Sequence, residues 1–478
     1  MSPDNTPDPK GRAWLRLLFA FVVAFDVAAF FQWADGAFQS EFGGHPDEAT
    51  HYIGGSRVGE AFAHGGIAAL KGTPAFDLAL GGWMSACGTS RIAVLLFMAA
   101  LAAATATMIF GTVRREFGDW AAAVASLLWL CAPAVRESYE EILPEQFGAF
   151  VLTGAALLWA RIMDEGGLRR TAVSRWIGTL AMLGGGCVLA FAFAVSMKVM
   201  PGDPRSAWSF LQDSVSVPGI AVAVFAIVGI VIRPKSAGAH GAVWVAMTAL
   251  VAGVLFARWM KADLPHVRTL IVATPALAML AVRGAITFSG LASSHAAVSV
   301  QPRRRALWLF LLLLLALPVD LLSPWQKDWR GFGPAALALI EESRGPAHVL
   351  VVSDARGEGM FLSQLAMQDR ERKISVERGS ETLAESADPA LRDTGQRFAE
   401  DEKLLAHLAA GHIRYIVLDS TVPFASRAGY HDQVLRVLEA NVRSFWPIGV
   451  SPIIRDGEPQ GHPLRIFRVM QAAGAELP

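Results

Sequence analysis

The stretch FGGHPDEATHY, residues 42–52, sets two carboxylates, Asp47 and Glu48, directly after a proline. Such a pair can take a proton, hold a divalent cation, or use one acid to place the other. Pro46 restricts the backbone ahead of Asp47, and Gly43 and Gly44 permit close approach by a ligand. A second acidic stretch, RESYEEILPEQ at 136–146, carries Glu137, Glu140, Glu141 and Glu145. Cations stand in two further polar stretches: Lys198 in AVSMKVMPG, and Lys261, His266 and Arg268 in KADLPHVRT. A lone acid beyond an apolar run is more often simply solvated. Acids and cations converging on one surface instead suit an anionic lipid and a nucleophile. For a sugar carried on a polyprenyl phosphate, a carboxylate takes the proton of the incoming hydroxyl. Cations, or a divalent metal held by carboxylates, meet the charge developing on the leaving phosphate.

The elements that must position these residues cross a membrane. Of 478 residues, 53% are hydrophobic and 18% charged, against roughly 25% charged in an ordinary soluble domain. Apolar runs of about 17–22 residues recur through the first two-thirds of the chain, the length a bilayer core requires. They predict about nine spans, at 14–33, 91–113, 120–135, 147–163, 176–197, 217–232, 242–256, 270–282 and 306–322. Lys and Arg total 42 and Asp and Glu total 42, so overall charge points to no nucleic-acid partner. Cys87, Cys131 and Cys187 have neither zinc-site nor disulfide spacing. Residues 1–13 read as a disordered cytoplasmic tail, and the first apolar run, lacking a small-residue cleavage site, as a retained span.

Arg12, Arg16, Arg114, Arg115, Arg169, Arg170, Arg175, Arg233, Lys235 and the arginines at 303–305 fall on one side of this arrangement. By the positive-inside bias that side is the cytoplasm of a multi-pass inner-membrane protein. The first outer loop, 34–90, then shares the outer face with RESYEEILPEQ, the Lys198 loop, the His266 loop and everything after 322. Within the first loop, 52–70 and 74–84 are weakly amphipathic and suit short interfacial helices. His45 and His51 read as turn or surface residues, and Trp33, Trp83, Trp120 and Trp259 as an aromatic belt.

From 323 to 478 the pattern changes. AHVLVVSD, RYIVLDS and PLRIFRVM read as strands, and 359–368, 402–410 and 430–442 as helices. The alternation predicts an extracytoplasmic α/β domain. Asp354 and Asp419 end two strands, where such sheets often place ligands, but capping a helix or turn is the commoner use of aspartate there.

In this order of elements the chain resembles the GT-C superfamily of membrane glycosyltransferases, the branch with protein mannosyltransferases and the lipid A aminoarabinose transferase. The resemblance rests on His45-Pro46-Asp47-Glu48 after the first span, with Tyr52 beyond it. Leu143-Pro144-Glu145-Gln146-Phe147 at the fourth span, Lys198 ending the fifth, and KADLPHVRTLIVATPAL late in the chain extend it. It implies a polytopic α-helical membrane protein with a polyprenyl-phosphate sugar donor, a cell-envelope acceptor (lipid, polysaccharide or protein) and inverting transfer of a hexosyl or pentosyl group. It further implies Asp47 as general base, with Glu48 positioning it or helping hold a metal. Glu145, then Glu141 and Glu140, would bind acceptor or metal. Lys198, Lys261, His266 and Arg268 would hold the lipid phosphate. A divalent ion (Mg, Mn or Zn) on Asp47 and Glu145 is the one cofactor implied.

The competing reading is a lipid or solute transporter or flippase. Transporters place ionisable groups at mid-membrane and show inverted repeats; here the spans are nearly free of charge, Asp26 being the main exception. A bare membrane anchor needs fewer spans, and no protease motif of the HExxH or GxSxG kind occurs.

Overall fold

In a computed structural model, the described residues are 9–41, 46–63, 72–165, 225–228, 243–244, 246–251, 271–291, 306–312, 329–369, 373–385, 396–423, 427–455 and 458–470. They divide into two compact units, one within 1–32 and 96–324, the other within 33–95 and 325–478. The first outer loop therefore belongs with the C-terminal residues.

The first unit is helical. Its elements include most of α1 (Pro9–Ala34) and α4 (Arg91–Phe117), then α5 (Asp119–Leu130), α6 (Pro133–Glu140), α7 (Pro144–Glu165) and α8 (Thr274–Leu291). Among the described residues, Ala13–Ala34, Arg91–Phe117 and Ile271–Ser289 are long and apolar enough to cross a membrane. Pro133–Glu140 with Pro144–Ile162 makes a fourth candidate, broken by a 115° bend. Helix α5 has 12 residues, about 18 Å of rise, short of a full bilayer core. Span 176–197 lies outside the described residues, and 217–232, 242–256 and 306–322 are described only in pieces. Several hydroxyls and indole groups in these helices are satisfied by helix carbonyls, as hydrocarbon demands. Thr105, Thr107 and Thr112 donate to the carbonyls of Leu101, Ala103 and Met108 at 3.0, 2.7 and 2.7 Å. Trp129 and Ser126 of α5 donate to Ala102 and Ala106 of α4.

The second unit holds α2 (Pro46–Ala63) and α3 (Ala75–Cys87), then α9 (Phe332–Ser343), β1 (Ala347–Val352), α10 (Ala355–Gln368), β2 (Ile374–Arg378), α11 (Asp401–Ala410), β3 (Tyr415–Asp419), α12 (Gly429–Ala440), β4 (Phe445–Ser451), β5 (Ile454–Arg455), β6 (Glu458–Pro459) and β7 (Leu464–Val469). Five strands form a sheet in the order β2-β1-β3-β7-β4, and β5 and β6 pair separately. Strands β2, β1 and β3 run parallel, with Val349 opposite Val376 and Leu350 opposite Ile416. Strand β7 is antiparallel to β3 and β4. Alternating side chains serve opposite faces, the period of any strand. Val349, Val351, Tyr415, Val417 and Ile466 pack with Phe332, Leu339, Phe361 and Leu365 of α9 and α10. Leu350, Val352, Ile416 and Leu418 pack with Leu404, Leu408, Val434 and Val437 of α11 and α12. Burial on both faces is why β1 and β3 read as continuous apolar runs.

Helices α2 and α3 overlap the two short helices expected at 52–70 and 74–84, starting earlier at Pro46 and running later to Cys87. They pack along each other closely enough that side chains are excluded at the seam. A Cβ on Gly81 would stand 2.4 Å from Val58 Cβ and 2.7 Å from the Gly55 carbonyl, and one on Gly55 would stand 2.8 Å from Leu80 Cγ. Helix α10 packs against α2 in turn. Helix α2 is weakly amphipathic because it is covered on two sides, by α3 and α10.

Candidate functional site

Asp47 and Glu48 are not in an open loop. Pro46 is the first helical residue of α2, so both acids fall in the first helical turn. Proline is at home there because its missing N–H would have had no helical partner, and the positive end of the helix dipole favours carboxylates. Glu48 is fully buried. Arg91, first residue of α4, brings Nη1 to 3.8 Å from Glu48 Oε1 and donates from Nε to the Ala37 carbonyl at 2.7 Å. One guanidinium thus touches the acid motif itself and the chain ahead of it.

The rest of α2 is held as firmly. Tyr52 is buried and its hydroxyl donates to the Thr89 carbonyl at 3.0 Å. His51 Nδ1 lies 2.8 Å from Asp77 Oδ1 of α3, with its ring edge-on to Phe76. The surface role expected for His51 gives way to this contact between helices. Trp83 Nε1 donates to the Ala93 carbonyl at 2.7 Å, tying α3 to the start of α4. Trp33 and Trp120 are exposed, as interfacial residues are; Trp259 and His45 lie outside the described residues.

Just ahead of the motif, Glu41 accepts from the backbone N–H groups of Gly331, Phe332 and Gly333 at 3.2, 2.8 and 2.9 Å. Its own N–H donates to the Trp329 carbonyl at 2.8 Å, and Ser40 Oγ accepts from the Trp329 N–H at 3.2 Å. Burial pushes the Glu41 carboxyl above its ordinary value, against the lowering effect of those three amides and of Arg91. Nothing in the local sequence signals Glu41 or Arg91 as part of the site.

In the other unit, RESYEEILPEQ is largely helical and inward-facing. Pro133 opens α6 and Pro144 opens α7, leaving a short connection at 141–143. Glu140, Glu141 and Glu145 are all buried. Arg136 Nε lies 3.1 Å from Glu140 Oε1, and its guanidinium stacks 4.6 Å from the Phe31 ring centroid. Gln32 donates to the Tyr139 carbonyl at 2.6 Å, linking α1 to α6. Glu145 follows Pro144 in the first turn of α7, just as Asp47 follows Pro46 in α2. Both acid motifs are therefore proline-initiated helix starts, each described within its own unit.

Lys198, Lys261, His266 and Arg268 lie outside the described residues. Among the described residues no group of three or more His, Cys, Asp and Glu could hold a metal ion. Asp354 and Asp419 bind each other's neighbours. Asp354 caps α10 through the Gly357 N–H at 2.7 Å. Asp419 accepts from Ser353 Oγ at 2.6 Å and from the Thr421 N–H at 2.8 Å. Arg455 joins them, with Nη1 3.0 Å from Asp354 Oδ2 and Nη2 2.6 Å from Asp419 Oδ2. Their role is capping and pairing.

No protein-family model and no curated protein matches the chain. Among solved structures it is similar to the crystal structure of ArnT from Cupriavidus metallidurans bound to undecaprenyl phosphate, at 12% identity and a TM-score of 0.38, over 95% of this chain and 99% of that one.

Proposed function

We propose that this chain is a membrane glycosyltransferase that moves a sugar from a polyprenyl-phosphate donor to a cell-envelope acceptor at the outer face of an inner membrane, with inversion at the anomeric carbon. The observation that carries the reading is the first turn of α2. There Asp47 and Glu48 start a helix just beyond a membrane-length apolar helix, and Glu48 is buried beside Arg91. A carboxylate held as Glu48 is marks a built feature, unlike a solvated loop charge. The arginine clusters support an outer-face position for this turn and residues 323–478.

In the proposed reaction Asp47 takes the proton of the acceptor hydroxyl as its oxygen attacks the anomeric carbon. The bond from that carbon to the phosphate oxygen breaks, and its electron pair leaves with polyprenyl phosphate. Lys198, Lys261, His266 and Arg268 meet the charge developing on that phosphate. Glu48, out of reach of solvent, positions Asp47. Glu145, Glu141 and Glu140 serve the acceptor.

The test incubates purified protein with labelled polyprenyl-phosphate sugars and cell-envelope acceptors, comparing wild type with Asp47→Asn. The variant, matched in elution and thermal unfolding, is expected to lose about a thousandfold in transfer rate, within the range for a general base. Transfer at the wild-type rate removes Asp47 from the role.

A further inference from the structure

Helix α9 lacks a cap of its own. Its N-cap residue is Gly331, at φ 122°, which supplies no side-chain hydrogen bond. The free amides at the start of a buried helix need acceptors. Here one carboxylate, Glu41, serves the amides of residues 331, 332 and 333. It comes from a segment 290 residues away along the chain. That segment continues directly into the acid motif.

We propose that Glu41 is a positioning residue: by gripping the amino end of α9 it fastens the start of α2 to the C-terminal sheet and so places Asp47. The catalytic consequence rests on the reading of Asp47 as base; the anchoring stands on the contacts alone. Neighbouring contacts act in the same sense. Ser40 and Glu41 pair with Trp329 through the backbone, and Arg330 donates to the Gln39 side chain at 3.2 Å. Beyond the motif, Arg91 and Thr89 hold Glu48 and Tyr52, and α10 packs on α2. The C-terminal sheet is then a scaffold for the acid-bearing helix.

The test uses full-length protein in nanodiscs, wild type against Glu41→Ala and Glu41→Gln, with hydrogen–deuterium exchange and sugar transfer read on the same samples. Glu41→Ala is expected to speed exchange in 46–63 about tenfold, as a local opening does, while 415–419 keeps its protection. Transfer should lose about a hundredfold in kcat with KM little changed, the signature of a misplaced reacting group. Glu41→Gln keeps a carbonyl acceptor and should recover most of both losses. Faster exchange confined to 332–343 reduces Glu41 to a cap for α9 and overturns the proposal. So does equal loosening of 415–419, which marks general unfolding. If wild type transfers no sugar from any donor tried, the glycosyltransferase reading fails, and the exchange data still decide the anchoring.

Discussion

Arg91 Nη1 lies 3.8 Å from Glu48 Oε1, and the Glu48 side chain has no exposed surface. A buried carboxylate depends heavily on a nearby cation, because water no longer shares the charge. Arg91→Gln is therefore expected to destabilise the full-length protein by about 3 kcal/mol, read as a lower unfolding midpoint in detergent. Arg91→Lys keeps the charge but not the Nε contact to Ala37, and should fall between. An Arg91→Gln protein as stable as wild type would show that Glu48 draws little from this pair.

The α2–α3 seam predicts a steric effect at one atom. Gly81→Ala places a Cβ 2.7 Å from the backbone oxygen of Gly55 and 2.4 Å from Val58 Cβ. Neither neighbour is the far end of a flexible chain, so the helices must separate. The expected cost is about 2 kcal/mol. Gly82→Ala is the control, since its Cβ would meet nothing nearer than 3.9 Å. Comparable losses in both variants would argue against the tight seam.

Glu358 predicts an unusual pH dependence. It is fully buried, and burial pushes its carboxyl up to about 8, against the opposing hydrogen bonds from the Ser380 hydroxyl and N–H. Between its ordinary value of 4.5 and about 8 the unfolded chain has lost the proton that the folded chain retains. Stability therefore falls as pH rises through that window, by about 3 kcal/mol at pH 7 relative to acid, and flattens above it. Glu358→Gln should remove this slope and raise the unfolding midpoint at pH 8. A midpoint with the same pH slope in wild type and variant would place the proton elsewhere.

Cys87 offers a test of sidedness. It is an exposed free thiol at the end of α3, whereas Cys131 is buried. If the first loop faces outward, a membrane-impermeant thiol reagent added to intact spheroplasts labels the wild-type protein, and Cys87→Ser abolishes that labelling. Labelling of Cys87 only after lysis would put Asp47 on the wrong face for the proposed donor.

Much of the C-terminal sheet was legible because its central strands are buried on both faces. Strands β1, β3 and β7 appear as apolar runs at the expected positions. The two strands that escaped notice lie at the edges. Strand β2, ISVER, is only half-buried and ends in two charged residues. Strand β4, FWPIGVS, carries a proline and a register shift between Pro447 and Gly449, which an edge tolerates because one side needs no ladder. Helix α9 was hidden because its cap lies in a different part of the chain.

The candidate site divides the same way. The residue types at 45–48 and 143–147, a proline followed by two acids and a proline followed by one, mark by themselves acidic stretches beyond apolar segments; that each proline opens a helix came from the structure. Apolar run length alone likewise identifies a membrane protein. The partners came only from tertiary structure: Arg91 for Glu48, α9 for Glu41, and Asp77 for His51. Periodicity reports the surroundings of a residue within a few turns of its own helix or strand. A guanidinium that reaches a carboxylate from another element, or a carboxylate that caps a helix 290 residues onward, leaves no local pattern, because the contact exists only once distant segments have packed.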